Sequence, residues 1–495
     1  MRLIELLSES SDEMLDAYKQ NGPDMNMEVT GLTCDSRMVK DGFLFAALPG
    51  GSVDGANFIN DAINRGARVI LAENGTSVSN DNVQLLHHPK PRQQFAKMAA
   101  RFYSGQPKTV AAITGTNGKT SVASFLEQIW TDLGVKAASI GTLGLRTTNP
   151  DMQKINQPGS HTTPDPVKLH QTLSELAKSG IDNLAIEASS HGIEQSRLDG
   201  VRINLAAFTN ISRDHLDYHK TMQAYMNAKL RLFSELISKD GVCVVNVDTS
   251  DGLQVADVCK NRGIKTMLVG KNGSDIRIVS ATPGKNSHMV KVEIDGAVYE
   301  INLPLTGLFQ VENAITALGL AIASGHNVAD CVKALGHIRP VVGRMQLVGD
   351  GSQKTVFVDY AHTPDALETV LQNLRPHASG KLVVVFGAGG DRDPGKRAMM
   401  GSIAAANADS VIVTDDNPRS EDPATIRAAI LKTAPGAIEI ADRANAIRTA
   451  VDGLQAGDVL LIAGKGHEQG QVIGDKTIPF DDVLEAKKAI AGVAK

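Results

Sequence analysis

The sequence predicts an α/β protein with mostly parallel sheets, and three observations carry that expectation. Short β-branched runs alternate with helix-period patterns through the middle and end of the chain. Each run is followed by a polar, Gly-rich or Asp-rich loop. The chain has 495 residues, which at a soft ~150 residues per domain suggests about three domains. Ligands of such sheets sit beyond the carboxyl ends of strands, so the loops after strands are where chemistry is expected.

Thr109–Ile113 reads as a buried strand. After it, Val122, Phe125, Leu126, Ile129 and Trp130 recur at i, i+3, i+4, i+7 and i+8, the apolar face of a helix. Leu184–Ile186 is a further short strand. Val356–Val358, Leu382–Phe386, Val411–Val413 and Val459–Ile462 read as four more. The turn cluster Ser104–Lys108 and the break at Arg339-Pro340 suggest boundaries. The expected segments are 1–105, 106–339 and 340–495.

Composition narrows the class. Hydrophobic residues are 42 % and charged residues 21 %, an ordinary globular mix. Against 55 Asp+Glu, the 50 Lys+Arg leave a net charge of −5, which speaks against a broad nucleic-acid surface. Cys34, Cys243, Cys259 and Cys331 are widely spaced and form no C-x-x-C, so they are expected to be reduced thiols in a cytoplasmic protein. The start, MRLIELLSESSDEM, turns acidic after a few apolar residues and does not read as a signal peptide. No apolar run approaches the ~20 residues of a membrane span.

Thr114-Gly-Thr-Asn-Gly-Lys-Thr120 lies between the first strand and its helix. Gly115 and Gly118 allow backbone N–H groups, with those of Thr116 and Asn117, to turn toward a phosphate at a helix N-terminus. Lys119 can reach terminal phosphates and the Thr120 hydroxyl can bind Mg²⁺. The loop is shorter than G-x-x-x-x-G-K-[ST], because Ile113 stands where the first Gly would.

Glu187 ends the 184–186 strand, a place suited to a hydrated Mg²⁺ or to a plain surface carboxylate. His215 and His219 have H-x-x-x-H spacing, but Leu216 follows the first His, so a zinc-protease helix is rejected. Gly387-Ala-Gly-Gly390 is not a dinucleotide fingerprint, since Arg392 occupies the final Gly position.

Taken together, Thr114–Thr120, Glu187–Gly192, Ser212–His219, Gly343-Arg344, Asp359–Asp365 and Gly464–Glu468 occur in an order that resembles the Mur ligase family of ATP-dependent amide-bond ligases. The match covers essentially the whole chain, and the short phosphate loop is the family's own form. The resemblance implies a three-domain architecture, with a central P-loop ATPase-like domain and a C-terminal Rossmann-like parallel-sheet domain. The N-terminal domain would hold a UDP group, the central one ATP and Mg²⁺, and the last the incoming amino acid. A carboxylate would be phosphorylated by ATP to an acyl phosphate, which the amine then attacks.

The same resemblance assigns residues. Lys119, Glu187, His215, Lys229 and Arg344 would be catalytic. Thr120, Glu187, His215 and Lys229, the last as a carbamate (N6-carboxylysine), would lie at the metal. Asn313 would contact adenine and Asp359 the nucleotide. Cys34, Ser36, Gly51, Ser52 and Val53 match UDP-binding positions. His161, Thr162, Thr163, Ser189, Gln195 and Arg197 match contacts to a UDP-MurNAc-L-Ala-D-Glu substrate. Cys34 stands where a relative has Leu, and His161 where a relative has Asn.

Asp416-Asn417-Pro418-Arg419 resembles the signature of the branch that takes meso-diaminopimelate. That amino acid carries a second carboxylate at its far end, and lysine does not. Arg419 and Arg392 would grip this carboxylate, while Glu468, with Gly464 nearby, would meet the distal ammonium. The expected protein is a cytoplasmic monomer acting on these three substrates, with no nucleic-acid or membrane partner. A lysine-adding ligase of the same family and a non-catalytic nucleotide-binding regulator are the alternatives at this point.

Overall fold

A computed structural model describes every residue except 9–23, 51–52, 81, 148–161, 285, 350–353 and 493–495. The chain groups into two compact units. The first is Met1–Ala112, Val135–Ala206 and Ala228–Gly241; the second is Ile113–Gly134, Ala207–Asn227 and Val242–Lys495.

The first unit opens with a parallel sheet of β1 (Gly31–Thr33), β2 (Phe43–Ala46), β3 (Ala67–Ala72) and β4 (Gln84–His87), in that order. Successive residues of a strand point to opposite faces. Leu44, Ala46, Val69 and Leu71 therefore join one core with Phe95 and Met98 of the helix Pro91–Phe102. Phe45, Ala47, Ile70 and Ala72 build the other, against Ile59 and Ala62.

β5 (Thr109–Thr114) is the first expected strand, and its last two residues belong to the second unit. In the first unit β6 (Ala137–Gly141) pairs antiparallel with β7 (Gly144–Thr147) and parallel with β8 (Asn183–Glu187), whose final residue is Glu187. β9 (Ile203–Phe208) and β10 (Ile237–Asn246) also pass from the first unit to the second. A buried ion pair ties parts of the first unit that are distant in sequence. Arg231 donates to Asp199 Oδ2 at 2.9 Å, and Gln93 donates to Asp199 Oδ1 at 2.9 Å.

In the second unit the helix Lys119–Asp132 follows β5 as expected, and Val122, Phe125, Leu126, Ile129 and Trp130 are all buried. β11 (Lys265–Gly270), β12 (Ile276–Pro283), β13 (His288–Ile294) and β14 (Ala297–Leu303) follow β10. β10, β11 and β12 pair in parallel; β12, β13 and β14 are an antiparallel meander.

The C-terminal sheet has the order β15 (Gln346–Val348), β16 (Thr355–Asp359), β20 (Val459–Ala463), β17 (Leu382–Phe386), β18 (Ser410–Val413) and β19 (Ile438–Glu439). All but β15 run parallel. Each of the four sequence-predicted strands is present, and their two faces bury separate cores. Phe357, Val384, Phe386 and Val413 pack with the helices Pro364–Leu374 and Gly395–Asn407. Val356, Val358, Val383 and Val385 pack with Arg443–Gly453 and Asp482–Ile490. A hairpin of β21 (Gly470–Ile473) and β22 (Lys476–Pro479) follows β20. Among the described residues no helix is long and apolar enough to cross a membrane.

Inside this domain Arg443 is fully buried with Asp482. Nε and Nη2 each donate to one carboxylate oxygen at 2.7 Å, and Nη2 also donates to Ala463 O at 2.9 Å. Two charges survive out of water here because each satisfies the other. Arg443→Met should leave Asp482 uncompensated and cost about 3–5 kcal/mol. Urea unfolding measures this; a loss below about 1 kcal/mol would show that water reaches the site.

Candidate active site

The phosphate loop is held in shape by a second loop that sequence reasoning did not assign. Asn210 O accepts from Thr116 N–H at 2.8 Å, and Asn210 Oδ1 accepts from Asn117 N–H at 2.9 Å. Thr209 Oγ1 donates to Asn117 O at 2.6 Å, and Ser212 N–H donates to Thr116 Oγ1 at 2.9 Å. Tyr225 OH lies 3.0 Å from the same Thr116 hydroxyl. The loop after β9 thus braces the loop after β5, as expected where strand ends converge. The legible signal was a Thr-Asn pair closing an apolar strand.

Gly118 precedes the helix at φ +88°, and a Cβ there would collide with the amide of Asn313. Only glycine allows both the left-handed turn and that approach. Lys119 Nζ donates to Gly115 O at 2.9 Å and Thr116 O at 2.8 Å, folding the ammonium over the loop. Arg344 Nη2 donates to Thr120 Oγ1 at 3.1 Å, and its Nε is buried without a hydrogen-bond partner among the described residues. The guanidinium also stacks 4.5 Å over the Tyr360 ring. Asn117 Nδ2 donates to Asp365 Oδ2 at 3.0 Å. The structure therefore brings Gly115–Thr120, Asn313 and Arg344 together.

Asp359 ends β16 and is buried. Its Oδ2 accepts from Met345 N–H at 2.6 Å and its Oδ1 from Ala361 N–H at 2.8 Å. Burial pushes its pKa up, while Arg344 and these two N–H groups pull it down. His215 begins a helix of four residues at φ +53°. Asp214 receives the His215 N–H at 2.9 Å and has Lys396 Nζ 3.7 Å away. Burial opposes the Asp214 charge, but His215, His362 and Lys396 outweigh it and hold its carboxyl below the usual range.

Residues of the loops 387–392, 416–419 and 464–468 cluster in the same unit. Arg419 lies at φ +52°, its N–H donates to Val472 O at 3.0 Å and its carbonyl accepts from Gly474 N–H at 2.7 Å. Hairpin β21–β22 therefore fixes Arg419 from both sides. Its Nη1 donates to Gly390 O at 2.8 Å. The glycines of 387–390 serve this packing: a Cβ at Gly389 would crowd the Arg419 guanidinium, and one at Gly390 would collide with Pro418 O. Asn417 Nδ2 donates to Glu468 Oε2 at 2.8 Å, and Gln471 Nε2 donates to Asp416 O at 2.8 Å. A Cβ on Gly464 would stand 3.0 Å from Asp416 Oδ2. Arg392 donates through Nη1 to Asp391 O at 3.1 Å.

In the first unit Thr163 is the centre. Its hydroxyl donates to Glu187 O at 2.8 Å and lies 3.0 Å from Ser189 Oγ. Arg197 donates to Thr163 O and to Gln195 Oε1, both at 2.7 Å. Thr142 orients the buried Glu187 carboxylate through its N–H at 2.8 Å and its hydroxyl at 3.0 Å, and its Oγ1 is 3.2 Å from Thr162 Oγ1. The set Thr162, Thr163, Glu187, Ser189, Gln195 and Arg197 is thus one hydrogen-bonded network. Lys229 is buried in the last turn of the helix Met222–Arg231. Cys34 is exposed after β1, Ser36 is buried at the start of a 3₁₀ turn, and Val53 is exposed. Gly51, Ser52 and His161 lie outside the described residues.

Asn210→Ala removes the brace on Asn117 N–H. Affinity for ADP should fall about tenfold, one hydrogen bond of roughly 1–1.5 kcal/mol, with the circular dichroism spectrum unchanged. Calorimetric titration checks this, and equal affinity would assign the brace to Thr209 and Ser212.

Comparison with known proteins matches three family models in order. Mur ligase family, catalytic domain, matches residues 28–103; Mur ligase middle domain, 113–321; Mur ligase, glutamate ligase domain, 343–466. A UDP-N-acetylmuramoyl-L-alanyl-D-glutamate--2,6-diaminopimelate ligase of Bradyrhizobium diazoefficiens is 50 % identical over 469 residues, covering 94 % of this chain and 95 % of its own. A solved structure of a ligase with the same name is 33 % identical, with TM-score 0.70 and 99 % of each chain covered. The MurF ligase of Thermotoga maritima in complex with ADP shares the fold at 19 % identity and TM-score 0.63, over 96 % of this chain and 100 % of its own. The braced phosphate loop, the three model matches in order and the half-identical relative all carry one conclusion: this chain belongs to the Mur ligase family and has its three-domain α/β fold.

Proposed function

We propose that this protein joins meso-diaminopimelate to the γ-carboxylate of D-Glu in UDP-MurNAc-L-Ala-D-Glu, driven by ATP, in peptidoglycan precursor synthesis. The observation that carries the reading is the Asp416–Arg419 loop. An arginine pinned by a hairpin stands on the same loop as Asp416 and Asn417, and Asn417 in turn holds Glu468. A cation and two carboxylates suit an acceptor whose far end is itself a zwitterion. The identity to relatives named as diaminopimelate ligases supports it. Segment 1–105 would bind the UDP end, 106–339 ATP and 340–495 the amino acid.

The γ-phosphoryl group of ATP passes to the D-Glu carboxylate, giving an acyl phosphate and ADP. The amine nitrogen then attacks the acyl carbon, a proton leaves the nitrogen, and the bond to phosphate breaks to give amide and inorganic phosphate. Such transfer needs positioning and charge neutralisation more than covalent catalysis. Lys119 and Arg344 supply positive charge at the loop of Gly115–Thr120, and the orphaned Arg344 Nε is a donor in want of an anion. Asn313, packed on Gly118, would meet the adenine. Asp359, beside any nucleotide contact, holds the turn that carries Arg344. Thr162, Thr163, Ser189, Gln195 and Arg197 would hold the muramoyl dipeptide, with His161; Cys34, Ser36, Gly51, Ser52 and Val53 would hold the uridine end. Arg392, Asp416, Asn417, Pro418, Arg419, Gly464 and Glu468 would hold the acceptor.

Taken one by one, the oxygen ligands proposed here have the chemistry a hard cation prefers. The Thr120 hydroxyl and the Glu187 carboxylate are both buried oxygens, each oriented by a neighbouring donor. Thr120, Glu187, His215 and Lys229 as its carbamate would hold Mg²⁺, which neutralises phosphate charge when bound. The protein would work as a cytoplasmic monomer without nucleic-acid or membrane partners.

Lys119→Ala should nearly abolish turnover with the fold intact by circular dichroism; a fully active variant would refute the phosphate-loop assignment. Arg419→Ala should lose about 1–3 kcal/mol of preference for diaminopimelate over L-lysine, the cost of an unpaired polar group. Relative kcat/KM values for the two amino acids measure it, and an unchanged ratio would refute Arg419's role. The direct test is phosphate release with ATP, Mg²⁺ and UDP-MurNAc-L-Ala-D-Glu, run with each amino acid and checked by product mass. Tripeptide only with meso-diaminopimelate is the expected result; a lysine product would move the protein to the lysine-adding branch.

A further inference from the structure

The acceptor loop contains a buried cation that no part of the reaction has so far used. Lys465 is fully buried in the turn after β20. Its ammonium donates to Asn417 Oδ1 at 2.9 Å and Glu468 Oε2 at 3.1 Å, and lies 3.6 Å from Asp416 Oδ1. Asn417 Oδ1 also accepts from Val472 N–H at 2.9 Å, so Lys465 is tied to the hairpin that fixes Arg419. Asp416 Oδ1 is itself buried and has no hydrogen-bond partner among the described residues.

The charges can be counted. Asp416, Glu468 and Lys465 together carry one net negative charge. Arg443, close by, is matched by Asp482. Arg419 and Arg392 add two positive charges, and Asp391, which feels both, adds one negative charge. The loop therefore offers one net negative and one net positive group, the complement of a single ammonium and a single carboxylate on one carbon. We propose that Lys465 is the internal counter-ion that sets this balance: a positioning residue that keeps Asp416 and Glu468 both ionised, so that the acceptor's distal amino-acid end binds without proton exchange. This rests on the ligase reading given under Proposed function.

The other groups facing the cluster do not titrate near neutrality. Burial, reinforced by Glu468, pushes the Tyr360 hydroxyl well up. Burial and Arg344 push the imidazole of His467 down to about 3. Arg443 also faces the cluster, and its ion pair with Asp482 outweighs burial and holds its pKa above the usual range. Removing the Lys465 charge leaves two carboxylates as close neighbours, and one of them then takes up a proton. An ammonium ligand must displace that proton, so binding weakens as pH falls, by up to about tenfold per pH unit.

The test uses the full-length enzyme and two variants, Lys465→Met and Lys465→Gln. Glutamine keeps hydrogen-bond donors to Asn417 and Glu468 but carries no charge. KM for meso-diaminopimelate is measured from pH 8.5 to 6.5, with kcat and KM for ATP alongside. The ratio of variant to wild-type KM should grow at least about tenfold across that range for both variants, with KM for ATP unchanged. A ratio that stays flat in Lys465→Gln would overturn the proposal, because hydrogen bonding alone would then suffice. If Lys465→Met does not fold, Lys465→Gln decides. Wild-type enzyme that makes no product with meso-diaminopimelate would overturn the ligase reading and this proposal together; normal wild-type turnover with a flat ratio would overturn this proposal alone.

Discussion

The second unit is organised around one buried carboxylate. Asp359 sits at the end of β16 and accepts backbone N–H groups from Met345 and Ala361. Met345 is held at φ +46°, a conformation costly for a side-chain-bearing residue unless its surroundings fix it. That turn aims Arg344 at Thr120, while Tyr360, the next residue after Asp359, supplies the ring beneath the guanidinium. The Asp359 carbonyl accepts from Gly464 N–H at 3.1 Å and so starts the turn that carries Lys465 and Glu468. One residue thus joins Arg344 to the loop of Lys465 and Glu468. An alanine there would leave two buried N–H groups without acceptors, and an asparagine would leave one.

The charges of the site are arranged so that few stand alone. Arg443 has Asp482, and Asp214 has His215, His362 and Lys396 around it. Lys465 sits among Asp416, Asn417 and Glu468. Buried charge is tolerable when it is paired and hydrogen-bonded, and such pairing also fixes geometry. The left-handed backbone at His215, Met345, Asp391 and Arg419 falls in these same loops. Strain of that kind persists where neighbours over-determine the conformation, as the hairpin β21–β22 does for Arg419.

The first unit shows the same economy in hydrogen bonds. Thr163 contacts Glu187, Ser189 and Arg197 through one hydroxyl and one carbonyl. A strand-end carboxylate and the side chains of Thr162, Thr163, Ser189, Gln195 and Arg197 are therefore mechanically one network. A change at Thr163 would be felt at Glu187, whose backbone carbonyl its hydroxyl contacts directly.

Sequence alone determined the alternation of strands and helices, because buried runs such as Leu382–Phe386 and the apolar stripe from Val122 to Trp130 are local patterns of period and burial. It also determined the family, because Thr114–Thr120, Asp359–Asp365 and Gly464–Glu468 are short contiguous motifs whose order can be read directly. The tertiary structure decided which residues brace those motifs. Asn210 meets Asn117 across 93 positions and Lys465 meets Asn417 across 48. A local signal can mark one member, as the Thr-Asn pair does, but not its partner; such pairs arise because strands distant in sequence share a sheet. The same holds for the glycines at 387–390, which resemble a phosphate-binding run and instead make room for Pro418 and Arg419. Short-range periodicity is written in the chain, whereas charge balance and backbone approach belong to the packed molecule.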